Sequence, residues 1–286
     1  MPRAPRIAML LPTLLDTLKI LLIVLALMIG VELAELRMGA GLRRVLTQRR
    51  GLQYVVASAL GVVPGCVGAF LVVSLYKAGL VGFGALAAVM LATAGDEAFV
   101  MLATIPRAAL WIFGLCFVVG VLGGVAADLL ARKARLPLRE ICGAPVHAGQ
   151  HAPLRWRHFL TGHIYGHIIR KHLLSLFLWL FLTLLALRVA ERRIDLEALL
   201  PASKASVVLL AALIGLLPES GPHLVFVFLF ARGLVPFSAL AASSVAQAGH
   251  GLLPLLAYAP RDAVLVKVLT SAVGLLVGLA LLALGL

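Results

Sequence analysis

Charge is what this sequence has least of. Of its 286 residues only 13% are Asp, Glu, Lys or Arg, and aromatic residues make up 7%. Water-soluble domains carry about 25% charged residues. With 62% apolar residues and a mean hydropathy of +1.08, the chain holds more apolar surface than one aqueous core can hide. A water-soluble fold is excluded, and the bilayer is the natural solvent. Cysteine is scarce too: Cys66, Cys116 and Cys142, at unrelated spacings, form neither a disulfide framework nor a zinc knuckle. The sequence has no Walker A loop, dinucleotide fingerprint, HExxH or Ser-His-Asp pattern, so nothing points to ATP-driven transport by this chain alone.

Acidic residues number 12 against 25 Lys and Arg, a net charge of +13. In a soluble protein that excess would suggest nucleic acid. Here the basic residues sit in short stretches between apolar runs, where they report topology instead. No nucleic-acid partner is expected.

Runs of spanning length, about 20 residues each, fall at roughly 7–33, 54–76, 80–105, 109–131, 171–190, 206–231, 234–258 and 262–286. The first loosely imitates a signal peptide. It lacks a small-x-small cleavage site, and Asp16 and Lys19 interrupt it, so it reads as a retained span in which those two charges can pair. Basic loops at 34–50 (Arg37, Arg43, Arg44, Arg49, Arg50) and 132–171 both belong on the cytoplasmic side.

The most informative feature is a repeat. A shift of 154 residues aligns GVVPGCVGAFLVVSLYKAGLVGFGALAAVMLATAGDEAFVMLATIPRAA (61–109) with GLLPESGPHLVFVFLFARGLVPFSALAASSVAQAGHGLLPLLAYAPRDA (215–263) without a gap. Pro64 meets Pro218, Gly79 meets Gly233, Phe83 meets Phe237, Gly95 meets Gly249, and Pro106-Arg107 meets Pro260-Arg261. Leu/Ala-rich stretches align by chance; coincident Pro, Gly, Phe and Arg in one register do not.

Two cytoplasmic loops require an even number of crossings between them, yet three apolar segments lie there. One segment per half is therefore expected to be re-entrant or broken. The same shift maps 34–50 onto 188–204, whose mixed charges suit the outer face. The expected architecture is all-α and polytopic: two inverted repeats with 8–10 membrane segments, as in secondary transporters. The boundaries are 1–131 for the first repeat, 132–170 for a basic, histidine-rich linker and 171–286 for the second repeat.

Ionisable residues inside a span are costly and mark functional sites by default. One cluster surrounds the Pro breaks, Pro64-Gly65-Cys66 and Pro218-Glu219-Ser220-Gly221-Pro222-His223, where Pro and Gly free backbone groups. A Pro kink with a self-satisfied Glu219–His223 pair is the plain alternative. The other cluster is Thr93-Ala-Gly95-Asp96-Glu97, matched by Gln247-Ala-Gly249-His250-Gly251. Asp96 and His250 are equivalent in the repeat and can face each other across a pseudo-twofold axis. An aqueous loop around Asp96 and Glu97 is the alternative there.

Asp96, Glu97, Glu219, His223 and His250 are the candidate ligands. Thr93, Gln247, Ser220, Cys66, Ser243 and Ser244 are secondary liners of the pathway. Carboxylate with imidazole suits Mn²⁺, Fe²⁺ or Zn²⁺, whereas a soft-metal site would want more thiolate. Such ligands deprotonate to bind metal, a direct route to metal/proton exchange. The linker holds five of the eight histidines, with His172 just past its end, and His163 and His167 share a helical face at i, i+4. Metal loading there competes with a plainer role, a basic segment lying on anionic lipid headgroups. Lys267 has no evident partner and Asp128 sits near a membrane end.

At the motifs P-G-C-x-G-A-F (64–70), A-T-x-G-D-E-A (92–98), L-P-E-S-G-P-H (217–223), P-F-S-A-L-x-A-S-S (236–244) and Q-x-G-H-G (247–251) the chain resembles a bacterial family of ten-helix heavy-metal exporters. Members of that family are also labelled manganese transporter or arsenic efflux protein. The resemblance implies ten membrane segments and efflux of a metal or metalloid across the bacterial inner membrane.

The expected activity is secondary export of a divalent transition metal, Mn²⁺ foremost with Zn²⁺ or Fe²⁺ next, coupled to protons. The metal is cargo and no cofactor is expected. Arsenical or organic-anion efflux stays open, as does an intramembrane metal-dependent enzyme, although duplication gives no reason for the asymmetric site an enzyme needs. The expected partners are the ion, protons and membrane lipid, with oligomeric state, a homodimer included, left open.

Overall fold

The computed structural model describes residues 4–48, 50–133, 173–193, 203–217 and 219–286. His163, His167 and the linker beyond Lys133 lie outside the described residues. Where it is described, the chain is helical. The first half comprises α1 (Ala4–Gln48), α2 (Arg50–Val62), α3 (Val67–Lys77), α4 (Phe83–Ala92), α5 (Glu97–Thr104) and α6 (Pro106–Lys133). The second comprises α7 (Leu174–Arg193), α8 (Lys204–Ile214), a 3₁₀ turn (Gly221–His223), α9 (Leu224–Ala231), α10 (Phe237–Ala246), α11 (Leu252–Tyr258) and α12 (Pro260–Ala283).

Two expectations are corrected. The basic stretch after the first span is not a loop: α1 stays helical to Gln48, and its 45 residues rise about 67 Å, well beyond a hydrocarbon core of about 30 Å. Nor is one segment per half interrupted, but two. The chain breaks between α2 and α3 and again between α4 and α5; the second half breaks at the equivalent places, before α9 and between α10 and α11. Each piece, 7 to 13 residues long, covers about a third to two thirds of the core. Gly65, Gly95 and Gly249 sit in the left-handed region at these breaks, with φ of 111°, 56° and 57°, where a side chain would strain the turn.

The boundaries recur at the 154-residue offset: Phe83–Ala92 matches Phe237–Ala246, and α6 and α12 both begin on a Pro. Packing recurs with them. The trio α2, α4 and α6 pack on one another as do α8, α10 and α12. Across the halves α3 meets α11 and α5 meets α9, while α4 meets α12 and α6 meets α10. Small residues make the close approaches. A Cβ on Gly120 would stand 2.8 Å from Ala88 O and Ala92 Cβ; one on Gly274 would stand 2.8 Å from Ala242 O and Ala246 Cβ. Lipid tails give no hydrophobic drive between helices, so such backbone proximity carries the association.

Burial divides the apolar helices into two kinds. The most apolar stretch of Phe83–Thr104 is 94% buried, that of Pro106–Lys133 only 33% and that of Pro260–Ala283 only 28%. Trp111, Leu122 and Leu276 project outward from the latter two, as lipid-facing residues do. Of the broken helices α4 and α10 are buried almost throughout and form the centre, with the long helices at its wall.

Candidate metal centre

Breaking a helix in mid-membrane leaves amides and carbonyls that must find partners. Here the two breaks of the first half satisfy each other: Gly65 N donates to Gly95 O and Ala94 N to Gly61 O, both at 3.3 Å. That ladder brings Cys66, preceding α3, beside Asp96, preceding α5. The second half contributes His250 from the turn before α11.

Cys66 Sγ lies 3.5 Å from Asp96 Oδ1 and 3.4 Å from His250 Nδ1, and His250 Nδ1 lies 3.8 Å from Asp96 Oδ2. One ligand atom from each of the three falls within 4.8 Å of the others, a spacing that admits one metal ion. The equivalent positions Asp96 and His250 do meet. The other imidazole nitrogen, Nε2, faces Glu219 Oε1 at 3.3 Å. Glu219 therefore anchors the ring: with Nε2–H donated to the carboxylate, Nδ1 keeps its lone pair for a metal.

Exposure is graded along this chain of groups. The Glu219 side chain is 37% exposed, that of His250 20% and that of Asp96 7%, with Cys66 buried. A cavity of about 290 Å³ opens on the Glu219 side, bordered by Phe70, Ser175, Trp179 and Pro254. Trp179 of α7 lies flat against Gly221, where any side chain would collide with the indole.

The remaining expected residues do not join this cluster. Glu219 and His223 do not pair, since His223 Nδ1 hydrogen-bonds Ser243 Oγ at 2.7 Å. Glu97 accepts from Gln247 Nε2 at 2.8 Å, and Ser244 stands beside its carboxyl. Thr93 spends its hydroxyl on Val89 O. Ser220 is buried beside Gly95 and lines the cavity next to Glu219 without contributing to the three-residue cluster.

Polar residues elsewhere have structural partners. Lys267 donates to Ala246 O, the last carbonyl of α10, so its charge sits at the negative end of that broken helix. Asp128 accepts from Gly84 N and Tyr54 Oη, both at 2.7 Å, and so holds the start of α4. Asp16 pairs with Lys19 as expected, and also with Arg188 of α7, a partner that sequence spacing did not reveal. A buried bond from Tyr76 Oη to Asp262 Oδ2, 2.7 Å, ties α3 to α12 and likewise left no signal in the motifs.

One family model matches the chain over residues 20–145 and 174–284; its description reads "Putative, 10TM heavy-metal exporter". No curated protein and no solved structure matches.

Proposed function

The chain belongs to this heavy-metal exporter family, and from that premise we propose that it is a secondary transporter exporting a divalent metal bound by Cys66, Asp96 and His250. Multi-pass membrane architecture and family membership support a transporter over an enzyme. The observation that carries the proposal is the convergence of a thiol, a carboxylate and an imidazole within 4.8 Å where the helix breaks meet.

The donor set also bears on the ion. The ligand types read from the sequence, mostly carboxylate and imidazole, suit Mn²⁺, Fe²⁺ or Zn²⁺, with Mn²⁺ the foremost expectation. With Cys66 inside the cluster the preference moves to metals that accept sulfur, Zn²⁺ first and Co²⁺ or Fe²⁺ next, with Mn²⁺ last. Arsenicals would draw on the same thiol, but no second cysteine joins it among the described residues.

No half carries a full ligand set. Cys66 and Asp96 come from the first repeat and His250 from the second, so displacing one repeat against the other dismantles the site and lowers its affinity. The 154-residue equivalence and the exchange of partners across the halves support an inverted pair, for which rocking of this kind gives alternating access. Loading a metal displaces the thiol proton and any proton shared by Asp96 and His250, so export against protons follows from the ligand chemistry. The basic segments argue for a bacterial inner-membrane orientation with Arg37 to Arg50 on the cytoplasmic side.

Proteoliposomes with an internal pH dye test this, screening Zn²⁺, Co²⁺, Fe²⁺ and Mn²⁺ in wild type, Asp96→Asn and Cys66→Ser. Zn²⁺ flux with counter-movement of protons, lost in both variants, is the expected result. Equal flux in wild type and variants removes the site assignment, and absence of any metal flux removes the exporter reading.

A further inference from the structure

The first half fixes two of the clustered groups to each other, because the bond from Gly65 N to Gly95 O holds Cys66 beside Asp96. His250 comes from the second half, so its place in the cluster depends on how the halves are seated. Two short helices carry that seating. α3 begins directly after Cys66 and ends in Tyr76 and Lys77; α11 begins two residues after His250 and ends in Tyr258. The two helices, one from each half, pack together.

Their far ends are tied. The Tyr76 hydroxyl donates to Asp262 Oδ2, in the first turn of α12, at 2.7 Å, and both residues are buried. The Lys77 ammonium lies 4.8 Å from the centre of the Tyr258 ring, and the Tyr258 hydroxyl comes within 3.5 Å of Lys77 O. The other such pair across the halves, α5 with α9, cannot form these contacts. There the 154-residue offset puts Phe230 for Tyr76, Ala231 for Lys77, Thr104 for Tyr258 and Ala108 for Asp262. Of these only Thr104 has a polar side chain, and its hydroxyl bonds Val100 O in its own helix. The shared packing frame therefore does not require the tie. It occurs where the two helices lead back to Cys66 and His250.

We propose that Tyr76 and Asp262, supported by Lys77 and Tyr258, are positioning residues that clasp the two halves and so hold His250 against Cys66 and Asp96. At about 1.5 Å per residue the clasp stands about 16 Å from Cys66 along α3 and about 10 Å from His250 along α11. None of its groups can reach an ion in the cluster, so it acts through the helices. A helix of two or three turns moves as one piece. Parting the far ends therefore tilts α3 against α11 and draws the thiol away from the imidazole. The effect on metal rests on the metal-centre reading above; the clasp itself does not.

The test uses the full chain in nanodiscs and two readouts. The first is Zn²⁺ affinity by isothermal titration. Tyr76→Phe and Asp262→Ala are each expected to weaken Zn²⁺ by about five- to tenfold, the worth of one buried hydrogen bond, and the double variant by no more than either alone. Asp262→Asn keeps an acceptor for the Tyr76 hydroxyl and is expected to retain most of the affinity. Tyr54→Phe removes a bond of the same length inside the first half. It is expected to cost similar stability and to leave Zn²⁺ affinity unchanged. The second readout needs no metal: the rate at which N-ethylmaleimide alkylates Cys66 in a Cys116→Ser, Cys142→Ser background, where it is the remaining thiol. Tyr76→Phe is expected to raise that rate severalfold, and Tyr54→Phe to leave it as it was. Affinity and alkylation both indifferent to Tyr76→Phe and Asp262→Ala overturn the clasp, as do equal shifts in Tyr54→Phe. Faster alkylation in Tyr76→Phe but not in Tyr54→Phe, in a protein that binds no Zn²⁺, supports the clasp and overturns the metal-centre reading instead.

Discussion

Gly61, Ala88, Ala92, Gly120 and Gly124 of the first half make the same close contacts as Gly215, Ala242, Ala246, Gly274 and Gly278 of the second, yet the residues at the breaks differ in kind. The first half brings a thiol and two adjacent carboxylates. The second brings two imidazoles, Glu219 and an amide. Helix packing tolerates little change, because a Cβ at any of these glycines meets backbone or a methyl group within 3.0 Å. The two halves thus share a packing frame while the polar groups at their breaks differ, and Cys66, Asp96 and His250 come together only where the halves meet.

Breaking the comparison at its chemical end has the largest expected effect. His250→Ala and Cys66→Ser each remove a ligand, one from each half, and should lower Zn²⁺ affinity by more than about 100-fold in isothermal titration. Glu219→Gln keeps the ligands and loosens the ring they depend on, so a loss of about 10–100-fold is expected. Zn²⁺ affinity should fall as pH falls in wild type, because protons compete for the thiolate and the imidazole. In Cys66→Ser the residual affinity should vary less with pH.

At the structural end the halves should behave alike. Gly120→Ala and Gly274→Ala force a methyl group against equivalent carbonyls, and each should destabilise the protein by about 1–3 kcal/mol in detergent unfolding. A large difference between them would mean that the shared packing is not shared energetically. The smallest effect belongs to a contact that only one half has. Tyr54→Phe removes a hydrogen bond to Asp128, worth about 1 kcal/mol; the equivalent positions in the second half, Val208 and Leu282, hold no such bond.

Hydropathy and the 154-residue shift made the membrane class, the matching frame of the two halves and the breaks after α2 and before α9 legible in the sequence. The break at Gly95-Asp96 was legible as a polar cluster but not as an interruption, since Phe83 to Thr104 reads as one apolar run. Composition cannot separate a fully buried run from a lipid-facing one. The Asp96–His250 contact followed from the repeat alone. The place of Cys66 did not, because a lone cysteine in an apolar chain usually packs as a small hydrophobe. Its position depends on the backbone bond from Gly65 N to Gly95 O, which no residue pattern announces. His223 and Glu97 drew attention for sound reasons, being ionisable and buried, but burial does not say which neighbours a side chain meets.

The most direct test of the central claim is X-ray absorption at the zinc edge on the purified protein loaded with one Zn²⁺. The account predicts one sulfur ligand at about 2.3 Å together with nitrogen and oxygen ligands at about 2.0–2.2 Å, the sulfur vanishing in Cys66→Ser. A wild-type spectrum with nitrogen and oxygen ligands alone, unchanged in Cys66→Ser, would contradict it.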